Sequence, residues 1–154
     1  MTDYNMDNYS AYADDNGKAD PHNINARVKC LYDEFTLTAE LAVNDELLMH
    51  SLPEGARIID AYIHSDQLGT TGILDLGLKA YTDKDGNTVS EDSDALVASA
   101  DAGGQAVLAK MAAGAAGASA EIGYGGAQAF LICTEASDAG IGDTVRAAIF
   151  YLLD

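Results

Sequence analysis

The chain has 154 residues, is 48% hydrophobic, and carries a formal charge of −17 from 25 acids against 8 bases. That length suits one domain with a modest core, and such acidity disfavours nucleic acid and anionic membrane surfaces, which repel it. No apolar run approaches the ~18 residues of a membrane span, and no Sec-type leader is visible, so a soluble protein is expected.

Residues 1–25 differ in character from the rest of the chain. Asp and Asn dominate, five aspartates face the single Lys18, and no helical or strand period is sustained. Low hydrophobicity with excess charge reads as an N-terminal arm, either flexible or docking. Yet it holds Tyr4, Tyr9 and Tyr12. Aromatic side chains cover large areas at low entropic cost, which makes these three the candidate contact residues. Fully extended, 25 residues reach roughly 80 Å, far enough to touch a neighbouring subunit.

From residue 26 to 154 the pattern is that of one β-sandwich domain. Val28, Cys30 and Tyr32 share a face of the first expected strand, and Leu37, Ala39, Leu41 and Val43 alternate with polar residues in a second run. Asn44-Asp45 marks a turn, and Leu47 to Met49 a short strand. After Pro53-Glu54-Gly55, the run Arg57 to His64 reads as a strand with Ile59, Ala61 and Ile63 on one face and Ile58, Asp60, Tyr62 and His64 on the other. Ile73 to Tyr81 comes next, with Leu74, Leu76 and Leu78 inward and Gly77 marking a bulge or a close backbone approach.

Ser90 to Ala100 has a capping serine and early acids, and predicts a short helix. The Gly/Ala-rich stretch 101–127 predicts a strand near Ala106 to Met111 and then a long loop of functional or interfacial character. Gln128 to Thr134 is apolar on both faces, which suits a central strand, and Thr144 to Leu153 closes the chain as another. About eight strands without interleaved helices argue for an all-β antiparallel sandwich, and that number suits a jelly roll.

No chemistry stands out along this scaffold. Asp83-Lys84-Asp85-Gly86-Asn87 reads as an Asp-Gly hairpin, because it lacks the spacing and bidentate Glu of a calcium loop. His22, His50 and His64 are scattered, no Gly-x-Ser-x-Gly elbow occurs, and there is no Trp to floor a sugar site. Cys30 and Cys133 are expected as small buried hydrophobes. Neither a catalytic residue, a metal site nor a cofactor is expected.

The run LPEGARIIDAYIHSDQLG followed by ILDLGLKAY, within Leu47 to Asp85, resembles segments of small tailed-bacteriophage virion proteins, among them head decoration or cement proteins. The resemblance covers about a quarter of the chain directly. It implies a jelly-roll protein made in the host cytoplasm and placed on the exterior of an icosahedral capsid. Its partners would be the major capsid protein and further copies of itself, a homotrimer fitting local capsid symmetry. Tyr4, Tyr9 and Tyr12 would then be capsid or oligomer contacts. The alternative is a head-fibre or tail-associated module that binds a host surface or carbohydrate.

Overall fold

Ten strands make up the regular structure of the computed structural model, which describes residues 27–118, 120–137 and 142–153. In chain order they are β1 (Lys29–Thr36), β2 (Glu46–Leu52), β3 (Ala56–Ser65), β4 (Ile73–Leu78), β5 (Tyr81–Thr82), β6 (Thr88–Val89), β7 (Asp92–Asp101), β8 (Val107–Lys110), β9 (Ala127–Glu135) and β10 (Thr144–Leu153). The N-terminal arm with Tyr4, Tyr9 and Tyr12 lies outside the described residues, as does His22.

Eight of these strands form two four-stranded antiparallel sheets, ordered β1-β10-β3-β8 and β2-β9-β4-β7. Successive strands alternate between the sheets, except that β4 and β7 are neighbours. This is the winding of a jelly roll, as the strand count predicts. The remaining pair, β5 and β6, is a small hairpin inserted between β4 and β7.

The core lies between the sheets. Ile58, Ala61 and Ile63 of β3 and Val145, Ala147 and Ile149 of β10 face Leu74, Leu76 and Leu78 of β4 and Ala129 and Leu131 of β9. All are buried, with the alternation that a half-buried sheet requires. The strands β9 and β10 are central, each paired on both sides.

Four expectations are corrected. Ser90 to Ala100 is not a helix: Asp92–Asp101 is strand β7. One or two helical turns have little stability alone, while this segment gains a full antiparallel partner in β4 and buries Ala95, Leu96, Val97 and Ala100. The run from Leu37 to Val43 is not a strand either. Leu37 and Leu41 are buried but Val43 is half exposed, and the backbone bonds into loops, with Leu37 N donating to Asp143 O and Leu41 N to Ser137 Oγ.

In β3 the phase changes partway. Phe150 pairs with Asp60 and Tyr151 with Ile58, so Ile59 has no partner. This bulge turns Ile58 inward and Ile59 outward, the reverse of simple alternation, while Ala61 and Ile63 face the core as expected. Finally, Cys30 is exposed, because it points outward from edge strand β1; Cys133 is buried as expected.

Gly77 marks the close approach anticipated from its place in an apolar strand. A Cβ there would collide with the backbone of Asp92 and Ser93, where β7 joins β4. The register of β4 on β7 shifts between Leu74 and Leu76 and again between Leu76 and Leu78, the interval that holds Gly77. Gly117 does a similar thing for the Gly/Ala-rich loop: its N–H donates to Ala95 O at 2.7 Å, and a Cβ would strike Leu96. Part of that loop is thus committed to packing inside the subunit, and Ile122 further along is buried.

Gly77→Ala is expected to destabilise the fold by about 1–3 kcal/mol through overpacking against β7. Urea denaturation checks this; an unchanged midpoint would mean that β7 yields without cost.

Candidate docking surface

The two sheets present very different outer faces. On the second sheet, Phe130 points outward from β9 opposite Gly77 yet is fully buried. Lys79 covers it, with Nζ 4.1 Å from the ring centroid, 2.8 Å from Glu46 Oε1 and 3.2 Å from Glu91 Oε2. Asp75 on the same face is also buried and accepts a hydrogen bond from Ser99 N, a residue held at φ 54°. Polar side chains thus cover the centre of this face, while Leu48, paired with Phe130, stays 60% exposed toward its β2 edge.

The first sheet has no such cover among the described residues. Its register sets the outward positions in rows: Glu34, Arg146, His64 and Leu108; then Tyr32, Ala148, Tyr62 and Lys110; then Cys30, Phe150 and Asp60. Within these rows lies a shallow depression of about 670 Å³ with an apolar lining that includes Val28, Ile59, Tyr62, Leu108, Ala148 and Phe150. Leu108 is 70% exposed, Val28 56% and Tyr32 55%. Large apolar side chains gathered on one sheet face mark an interaction surface, whereas single exposed ones do not.

Several polar groups here pair with each other. Tyr62 Oη donates to Asp60 Oδ2 at 2.6 Å, and that bond raises the tyrosine pKa, so the phenol stays protonated at neutral pH. The Tyr62 ring meets Phe150 edge-on, centroids 5.8 Å apart at 89°, a favoured aromatic geometry. Arg146 Nε donates to Glu34 Oε2 at 2.7 Å, and Tyr32 Oη reaches the same oxygen at 3.1 Å. Cys30 lies in the third row, with its thiol pKa pushed up by partial burial, which makes it a weak nucleophile. What remains is a carbon-rich floor suited to contact.

The other sequence candidates are dispersed. His50 is exposed and pairs with Asp33 at 3.0 Å on the edge between β1 and β2, away from His64. Beside it, a smaller depression of about 250 Å³ is lined by Phe35 and Leu48 together with Asp33, Glu34 and Glu46. The Asp83 turn is a hairpin as expected: Asp83 Oδ1 accepts from Asp85 N at 2.9 Å and Asn87 N at 2.8 Å. Those bonds, Asn87 N first, lower the Asp83 pKa and occupy the oxygen that a cation would need. Among the described residues no group of three or more His, Cys, Asp or Glu is placed to hold a metal.

No protein-family model matches the chain, and no curated protein does. Among the solved structures similar to it are two from phage capsids. One, from the capsid of Ralstonia phage GP4, is 19% identical with a TM-score of 0.65, covering 83% of this chain and 85% of that one. Another, from the cyanophage Pam1 capsid asymmetric unit, is 16% identical with a TM-score of 0.59, covering 84% and 86%. The chain shares its fold with both. At such low identity the likeness is one of fold, and it agrees with the phage-capsid resemblance of the Leu47 to Asp85 segment.

Sequence reasoning places contact residues on the arm and does not single out Val28, Tyr62, Leu108 or Phe150. A signal exists: Ala148, Phe150 and Leu152 alternate with core residues, so β10 is apolar on both faces. The Glu34–Arg146 pair gives the face a pH signature. Arg146, and then Tyr32, hold the Glu34 carboxyl below its ordinary value of 4.5. Its contribution is therefore complete above that value and disappears as pH falls through the lowered one. Glu34→Gln is expected to melt below the wild type at pH 7, with the gap closing on acidification below about pH 4. Paired thermal melts across that range check it.

Proposed function

We propose that the protein is a non-enzymatic virion structural component, a capsid decoration or cement protein bound to the outside of an icosahedral phage head. The observation that carries this reading is the likeness, over more than four-fifths of the chain, to chains from two phage capsids. The first sheet's apolar face gives the protein a contact surface. In this reading the sandwich is a rigid body that bridges neighbouring major capsid protein subunits, with Tyr4, Tyr9 and Tyr12 as further capsid or oligomer contacts. Binding across a subunit boundary stabilises only the assembled shell, and repetition over many sites converts weak contacts into avidity. A homotrimer would match the cyclic symmetry of such sites.

A head-fibre or tail-associated carbohydrate-binding module is the second reading. The clustering of Tyr32, Tyr62 and Phe150 on one open face favours it. Binding of the isolated protein on a glycan array would select this reading over the first.

Heads lacking the protein are expected to lose thermal or osmotic resistance and to regain it when the protein is added back. Phe150→Asp changes an outward-facing ring and is expected to weaken add-back about 100-fold, as loss of a central aromatic anchor does. Equal resistance with and without the protein would overturn the cement role.

A further inference from the structure

The edges of the two sheets are unequal. We propose that β1 is a self-pairing edge: two copies of the chain join antiparallel through β1, about a two-fold axis at Leu31, so that their four-stranded first sheets become one.

Four strands end the sheets: β1, β8, β2 and β7. Three of them are blunted in ways that keep other strands away. β8 has only four residues. β7 is interrupted by Ser99 at φ 54°, and Gly117 N already donates to its Ala95 O. β2 loses register between Leu48 and Ser51, where His50 N donates to Asp33 Oδ2 at 2.8 Å. β1 has none of these features. It runs eight residues in unbroken register on β10, without glycine or proline. Among the described residues no backbone–backbone bond joins it to anything but β10. About half of its N–H and C=O groups therefore point away from β10, as on any antiparallel edge. Val28, Tyr32 and Phe35 along it are exposed.

Charge names the occupant. Lys29 and Asp33 lie on the same side of β1 as Leu31, which packs against the core. Among the described residues Lys29 has no ion-pair partner. Near Asp33, Glu34 and Glu46 are matched by Arg146 and Lys79, whereas Asp33 meets only His50, through its backbone N and its exposed ring. A lysine and an inward aspartate discourage an arbitrary strand. An antiparallel copy in register about Leu31 turns both into contacts. Lys29 of each copy then faces Asp33 of the other, Leu31 faces Leu31, and Cys30 faces Tyr32 on the outer side. A parallel copy in register sets like charges side by side. With one such edge per chain, the pairing closes at two and does not grow into a fibre.

Pairing through β1 needs no shell, so it is tested on the free protein, and failure there leaves the capsid reading standing. Sedimentation equilibrium over a dilution series at physiological ionic strength is expected to give a monomer–dimer equilibrium. Lys29→Glu and Asp33→Lys are each expected to raise the dissociation constant about tenfold. Their equimolar mixture is expected to restore it, because the two reversed charges then face each other and native Lys29 faces native Asp33. Leu31→Cys in a Cys30→Ser background gives a second measurement that leaves Asp33 in place. Cysteines directly opposite each other lie within disulfide range, so mild oxidation is expected to link the copies covalently. A monomer throughout, a trimer, or a dimer indifferent to Lys29→Glu would overturn the proposal. So would a mixture of folded variants no tighter than either alone, or the absence of a cross-link at Leu31→Cys.

Discussion

The fold depends on β10 lying between β1 and β3. Its register runs from Thr36↔Thr144 to Lys29↔Tyr151 on one side and from Ser65↔Val145 to Ala56↔Leu153 on the other. Without the last strand, β1 has no partner and the first sheet is reduced to β3 and the four residues of β8. The same holds in the second sheet, where β9 joins β2 to β4. Strands formed early in the chain are thus held by strands formed late. Closing such loops costs entropy before any pairing offsets it, so this topology belongs with slowly folding, highly cooperative β proteins.

A central strand with a period of two has a further consequence. One face of β10 gives Val145, Ala147 and Ile149 to the core, and the other gives Ala148 and Phe150 to the depression. Any force that fixes β10 in register for the core also fixes the floor of the outer face. The bulge at Ile59 extends the same logic to β3, since it moves one more large apolar side chain outward beside Tyr62 without disturbing Ala61 or Ile63. The surface is therefore preorganised by packing on its far side, which lowers the entropy cost of binding to it.

Much of this is legible in the sequence, and the misses have physical causes. Apolar runs on both faces identify β9 and β10 as central strands, and the Leu74, Leu76 and Leu78 spacing identifies β4, because burial on a sheet face imposes a period of two. β7 reads as a helix because capping residues at Ser90 and Ser93 act locally, whereas its real partner, β4, is nearby in space and invisible in composition. Leu37 to Val43 misleads for the opposite reason: its alternation is real, but only Leu37 and Leu41 reach the core. The face itself escapes notice because an outward Phe150 and an inward Ile149 look alike in a chain read one residue at a time. Only cross-strand register, with Tyr62, Ala148 and Tyr32 in one row, turns separate apolar residues into a patch.

The contrast between the sheets bears on orientation. On the second sheet Lys79 is drawn down over Phe130 by two glutamates, so an outward aromatic is desolvated within the subunit and its cation is neutralised. On the first sheet Arg146 is neutralised sideways, by Glu34 in its own row, and the half-buried ring of Phe150 meets only the edge of Tyr62 and lines the open depression. The difference is one of reach: Gly77 opposite Phe130 leaves room for a lysine to fold across, while Phe150 faces Asp60 and Cys30, neither of which can cover it. With 25 acids on the chain, most other surface repels an acidic partner or another copy of itself. Approach through the first sheet meets the carbon-rich depression that packing within the subunit leaves open.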